Sequence, residues 1–154
     1  LVQAAVADQP GFIMDNRELH REGPSRSYHT LESFRREYPD EPLCFLMGGD
    51  AFNGYLQWHR PLEILELAHL VVMQRPDASR PGGELAALLD RRQTCEAGDL
   101  HASPAGRIFL QPVTQLDISA SDIRQRIAVG RSARFLVPEQ VLGIIQQLRL
   151  YEDA

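Results

Sequence analysis

Two short, unbroken apolar runs, "LCFLMGG" at 43–49 and "HLVVMQ" at 69–74, most restrict what this chain can fold into. Both are far too short to span a membrane, and both are continuous, as in strands buried on two faces of a parallel sheet. The intervening "HRPLEILELA" (59–68) reads as a helix, with Pro61 tolerated near its first turn. A helix over "ELAALLDRR" (84–92) and a third strand over "RIFLQPV" (107–113) continue the alternation. Upstream, "TLESFRREY" (30–38) sets Leu31, Phe34 and Tyr38 on one helical face and stops at Pro39. Downstream, "SDIRQRIAV" (121–129) closes at Gly130, and "PEQVLGIIQQL" (138–148) starts a last helix on Pro138. The order β-α-β-α-β-α-α predicts an α/β fold: a doubly wound parallel sheet with a C-terminal helical segment, one domain over 1–154.

Composition narrows the function. All sixteen basic residues are arginine. Without lysine, a phosphate loop ending in Gly-Lys-Ser/Thr is excluded, and so is Schiff-base chemistry. Phosphate binding must then rest on arginine, backbone N–H groups and hydroxyls. A net charge of −5 argues against nucleic acid as a partner. Two cysteines cannot form a disulfide framework; Cys44, inside "LCFLM", reads as a small buried hydrophobe. The five histidines show no metal-ligand spacing with Cys, Asp or Glu, so no metal site is expected. No signal peptide or membrane segment is visible, which points to the cytoplasm. The first residue, Leu1, reads as the start of a fragment or a processed product.

In open α/β sheets, ligands collect at the carboxyl ends of the strands. That rule selects Gly48-Gly49-Asp50, Gln74-Arg75-Pro76 and the stretch from Leu116 to Arg124. Glycines at a strand end let a ring or sugar approach the backbone, and Asp50 can accept from ribose hydroxyls; Asp50 equally fits the N-cap of a short helix. Arg75, held extended by Pro76, offers a planar fork to phosphate or carboxylate, or is a solvated surface arginine. Trp58, the single tryptophan, is a core anchor or a plate for a flat heterocycle; His59 beside it reads as a surface or hydrogen-bonding residue and not as a base. In "DISASDIRQRI" (117–127), Ser119 and Asp122 fit a capping box, and Ser121 and Arg124 complete an anion site at a helix start.

As an ordered set, "GGDAFNGYLQWH", "HLVVMQRP" and "ISASDIRQRI", followed by "FLVPEQVLGIIQQLRLY", resemble bacterial nicotinate-mononucleotide adenylyltransferases of the nucleotidyltransferase superfamily. The matching family patterns are a strand-end G-x-D with a W-[HY] dipeptide beyond it, a strand closing in R-P, and a late I-S-x-[ST]-x-I-R. The resemblance implies a Rossmann-like fold and AMP transfer from ATP to nicotinate mononucleotide. It implies that Gly49 and Asp50 lie against adenosine and that Ile118, Ser119, Ser121 and Arg124 hold adenine and phosphates. Arg124 and Ser121 then carry catalysis by alignment and charge neutralisation, aided by Mg²⁺. It further implies that Trp58 stacks on the pyridine ring with Arg75 nearby. A neighbouring adenylyltransferase acting on phosphopantetheine, or a non-catalytic nucleotide-binding remnant, are the alternatives; Trp58 with Arg75 favours a pyridine nucleotide.

Two departures stand out. The family's opening strand and G-G-[TS]-F-D-P-x-H-x-G-H loop have no counterpart, so the chain alone is expected to be catalytically poor and to expose an unpaired sheet edge. The family's P-S-Y-T-x-x-T-L turn reads "GPSRSYHTL" here. Anchored on Thr30-Leu31, the family's tyrosine becomes Arg26 and its threonine Ser27; anchored on Ser27-Tyr28, two residues are missing. Ser27 is the one substrate contact carried over from this turn.

Overall fold

The computed structural model describes residues 1–74, 80–114, 116 and 118–152. Along the chain come α1 (Val2–Val6), α2 (Ser27–Glu37), β1 (Cys44–Gly48), α3 (Gly49–Asn53), α4 (Pro61–Leu67) and β2 (His69–Gln74). They are followed by α5 (Gly83–Arg92), β3 (Gln93–Thr94), β4 (Ile108–Pro112), α6 (Ala120–Ala128) and α7 (Glu139–Gln147). Among the described residues, three short 3₁₀ segments lie at Arg17–His20, Tyr55–Gln57 and Ala97–His101. These elements form two compact units, Arg17–Gln115 and the pair of segments Leu1–Asn16 with Leu116–Ala154.

The larger unit is a parallel sheet in the order β1-β2-β4-β3. Cys44 pairs with His69 and Gly48 with Met73; Leu70 pairs with Ile108 and Gln74 with Pro112. Tyr28 and Leu31 of α2, Ile64 and Leu65 of α4, and the three buried leucines of α5 pack with Met47, Leu70, Val72 and Ile108 in one core. Every predicted strand and helix occurs, within two or three residues of its expected ends. The two-residue β3 was not expected, because so short a strand carries no periodicity. Among the described residues, no helix is long and apolar enough to cross a membrane.

The expectation of a buried Cys44 is overturned. β1 lies at one edge of the sheet among the described strands and its burial alternates: Met47 faces the core, whereas Cys44 is exposed and Leu46 is 59% exposed. Successive side chains point to opposite faces, so an unbroken apolar run does not bury both unless both faces are covered. The exposed Cys44 is still partly desolvated, which pushes its thiol pKa up.

Two polar groups hold the amino edge of this sheet. His69, fully buried, accepts at Nδ1 from the Arg107 N–H (3.0 Å) and meets the Ser103 carbonyl at Nε2 (2.8 Å). Because a backbone N–H only donates, the ring must be neutral with its proton on Nε2. Arg35 of α2 donates to five carbonyls: Leu67 (2.8 Å), Pro104 (2.7 Å), Tyr38 (2.8 Å), Glu41 (2.8 Å) and Pro39 (3.2 Å). One planar guanidinium thereby satisfies the ends of α2 and α4 and the loop before β4.

In the smaller unit, α1 packs on α7, and the Gln140 amide donates to Asp8. Val141 and Ile145, one turn apart on α7, are buried there with Ala133.

Arg35→Lys keeps the charge but loses the fork, stranding carbonyls. It should cost about 2 kcal/mol in urea unfolding, against under about 0.5 kcal/mol for Arg36→Lys, whose partner is the surface Glu32. Equal losses for the two variants would mean that water serves those carbonyls as well as Arg35 does.

Candidate functional site

In the larger unit, α2 runs into β1 and α4 runs into β2, so both helices begin at the carboxyl edge of the sheet. A cavity of about 320 Å³ opens there, lined by Ser25, Arg26, Ser27 and Tyr28 from the start of α2 and by Trp58 and His59 from the approach to α4. Ser27 and Trp58, singled out separately in the sequence, share this cavity. Arg26, Tyr28 and His59 were not singled out as ligand groups; the divergence of the 24–31 turn was the trace of the first two, and the W-[HY] dipeptide that of His59.

Trp58 reaches the cavity on an aromatic ladder. Phe52 stacks on Tyr55 at 6.0 Å, and Tyr55 lies 5.8 Å from Trp58, whose other neighbour is Phe45 at 6.2 Å. Phe52 and Tyr55 are buried, while Trp58 is half-buried, so the indole is anchored in the core on one side and open on the other. Tyr55 donates its hydroxyl to the Pro61 carbonyl, and burial pushes the phenol pKa well up. These contacts fix the start of α4. Helix α4 begins at Pro61, two residues later than predicted, because Arg60 takes a left-handed conformation (φ 55°, ψ 54°). Arg60 is held by an ion pair to Glu63 at 3.2 Å and lies over the Tyr28 ring at 4.8 Å. Such a conformation is uncommon outside glycine and needs support of this kind.

Tyr28, His29 and His59 form a ring cluster with centroids 5.3, 5.9 and 5.6 Å apart. His59 is held below the ordinary imidazole range, first by partial desolvation and then by Arg26, Arg60 and His29; Glu63 opposes them. Among the described residues, no carboxylate lines the cavity. Glu63 is paired with Arg60, and Glu32 with Arg36 while accepting from Tyr28. Ser27 also borders a second, mainly apolar cavity of about 330 Å³ with Phe34, Leu43, Cys44 and Phe45.

Gly49 and Asp50 lie where β1 ends. Gly48 is the N-cap of α3, which leaves Asp50 inside the first turn and exposed instead of capping. A β-carbon at Gly49 would meet only the Met73 carbonyl at an ordinary 3.8 Å, and one at Gly48 would meet nothing within 4 Å. The chain's own packing therefore does not demand glycine at either position.

In the smaller unit, Ser119 caps α6, its hydroxyl accepting from the Asp122 N–H at 3.0 Å. The Asp122 carboxylate turns along the helix to Arg126 at 2.7 Å, and Arg124 donates to the Ser121 hydroxyl at 3.3 Å. Ile118, Ser119, Ser121 and Arg124 are all exposed at this helix start. Arg75 lies outside the described residues.

Residues 1–126 match the model of the cytidylyltransferase-like family. A probable nicotinate-nucleotide adenylyltransferase of Aeromonas hydrophila is 44% identical over 156 residues, covering 100% of this chain and 72% of that protein. One from Methylococcus capsulatus is 43% identical over 98% of this chain and 73% of its own length. In fold, the chain is similar to the Plasmodium falciparum nicotinic acid mononucleotide adenylyltransferase complexed with APC, with a TM-score of 0.62 at 14% identity. That match covers 92% of this chain and 64% of the solved one.

The charges around His59 make a testable statement. Its titration by NMR should show a midpoint below the ordinary value of about 6.5, and Arg26→Gln should move the midpoint upward. Since the folded state favours neutral His59, the unfolded chain takes up more protons just below that value, and acidification through it weakens the fold. A midpoint that Arg26→Gln leaves unmoved would remove Arg26 from the vicinity of the ring.

Proposed function

We propose the activity from one premise: the chain belongs to the nicotinate-nucleotide adenylyltransferase family, within the cytidylyltransferase-like nucleotidyltransferase superfamily. The reaction is transfer of AMP from ATP to nicotinate mononucleotide, in the cytoplasm, as a step of NAD synthesis. A phosphate oxygen of the mononucleotide attacks the α-phosphorus of ATP, and the bond from that phosphorus to the bridging oxygen breaks. Pyrophosphate leaves and nicotinate adenine dinucleotide remains, with no covalent intermediate on the protein.

The observation that carries this reading is the shared cavity of Ser27 and Trp58 at the carboxyl edge of the sheet. A pyridine ring can lie on the open face of Trp58 while Ser27 and the free N–H groups at the start of α2 face its polar substituents. The half-burial of Trp58 on Tyr55 and Phe45 supports this role, because an anchored indole loses little freedom on stacking. In the same reading, Gly49 and Asp50 take the adenosine part of ATP, the carboxylate accepting from ribose hydroxyls. Ile118, Ser119, Ser121 and Arg124 take adenine and phosphates, and Arg75 joins Trp58 on the mononucleotide.

Catalysis then rests on alignment and charge neutralisation, with Arg124 and Ser121 at the phosphates. The Arg124–Ser121 hydrogen bond supports that pairing, since it orders the guanidinium at the helix start. Mg²⁺ enters as part of the ATP substrate. Among the described residues no group of three or more His, Cys, Asp or Glu could cage a metal ion, and Mg²⁺ is commonly held by substrate phosphates, water and one or two carboxylates.

Pyrophosphate release, followed with ATP and each acceptor in a version that carries the family's opening strand and phosphate loop, tests the reading. Trp58→Ala should raise KM for nicotinate mononucleotide by a stacking loss on the order of 1–3 kcal/mol while leaving KM for ATP nearly unchanged. Arg124→Ala should chiefly damage the ATP side. Turnover with phosphopantetheine alone would overturn the assignment of substrate, and equal effects of Trp58→Ala on both substrates would make Trp58 a core residue only.

A further inference from the structure

We infer that Arg26 is a specificity-determining residue, whose guanidinium reads the carboxylate of a planar aromatic acid seated on Trp58 and so selects the acid over the corresponding amide. This rests on the assignment of the Trp58 cavity to the mononucleotide and goes beyond it by naming the group that tells two pyridine nucleotides apart.

Three observations carry it. First, Arg26 lines the same cavity as Trp58, as the residue immediately before α2, and its side chain caps nothing. Second, two acids next to the lining residues are already engaged, Glu63 with Arg60 and Glu32 with Arg36, and among the described residues no carboxylate lines the space itself. Among the described residues Arg26 makes no ion pair, so an exposed cation faces the cavity without a counter-ion. Third, the other polar side chains at its mouth do not discriminate. Ser25, Ser27, Tyr28 and a neutral His59 can each donate or accept, so they suit an amide as well as a carboxylate. The Trp58 indole N–H only donates, but it is uncharged.

The guanidinium differs from all of these. It is a charged fork that only donates, matching the two acceptor oxygens of a carboxylate. An amide offers one acceptor oxygen, and its NH₂ would be turned against further donors with nothing to accept it. His59, whose basicity is lowered first by partial desolvation, also feels the positive charge of Arg26 and Arg60, which a bound carboxylate would neutralise. On the Thr30-Leu31 anchor, the family pattern that the chain otherwise resembles carries a tyrosine where this sequence has Arg26.

Trp58, the single tryptophan, provides a direct readout of binding that needs no turnover. Quenching of its fluorescence should give a dissociation constant at least tenfold lower for nicotinate mononucleotide than for nicotinamide mononucleotide. Arg26→Gln should weaken the acid by roughly tenfold to a hundredfold, the range of a charge-assisted hydrogen bond, and leave the amide nearly unchanged, so that the ratio collapses toward one. Arg26→Lys, which keeps the charge without the fork, should restore part of the ratio. An unchanged circular dichroism spectrum should accompany both variants, since the Arg26 side chain supports no element of the fold.

Equal weakening of both nucleotides would place Arg26 on a group they share, such as the phosphate, and overturn the inference. A ratio untouched by Arg26→Gln, or equal affinities in the unaltered protein, would overturn it while leaving the Trp58 assignment intact. If neither nucleotide perturbs Trp58, the cavity is not the mononucleotide site, and the assignment and the inference fall together.

Discussion

Parallel pairing of β1 with β2 governs where the functional groups of the larger unit can lie. With Cys44 opposite His69 and Gly48 opposite Met73, the chain must return from the carboxyl edge of the sheet to its amino edge between the two strands. The return segment is α4, which therefore starts at the carboxyl edge; α2, leading into β1, starts there too. The two edges are then used differently. At the amino edge, His69 and Arg35 bind loops and helix ends to one another through backbone groups. At the carboxyl edge, the starts of α2 and α4 leave donors, a cation and an aromatic face around open space.

The spacing of Phe52, Tyr55 and Trp58 transmits the rigidity of the core to that space. Each residue contacts the next, and burial falls from the first two to the third. Tyr55 ties the ladder to α4 through the Pro61 carbonyl, and Arg60 turns left-handed just before that proline. A plate positioned in this way can receive a flat ring without first being ordered, which is where binding affinity is otherwise lost.

Much of this was legible in the sequence, for identifiable reasons. Continuous apolar runs at 43–49 and 69–74, separated by a helical pattern, are enough to give parallel strands and a crossover. Ser119 with Asp122 announced the cap of α6, though the Asp122 side chain pairs forward with Arg126 instead of completing the box. Burial of β1 was misjudged, because an apolar run does not say how many of its faces are covered. Arg35 and His69 left no mark, since their partners are backbone groups distant in sequence, and no local pattern encodes them. The cavity itself was half-visible: Trp58 and Ser27 stood out through their resemblance to a family pattern. Arg26, Tyr28 and His59 join them through the packing of α2 on α4, a tertiary contact with no periodicity of its own.

The proposed activity requires the pyridine ring of the acceptor to lie against Trp58 at the edge where α2 and α4 begin. Isotope-filtered NOE spectroscopy of the protein with nicotinate mononucleotide measures that contact directly. Cross-peaks between the pyridine protons and the Trp58 indole, joined by others to Tyr28 or His59, are the result expected. Pyridine protons showing contacts only to residues remote from this cavity, with the indole silent, would contradict it.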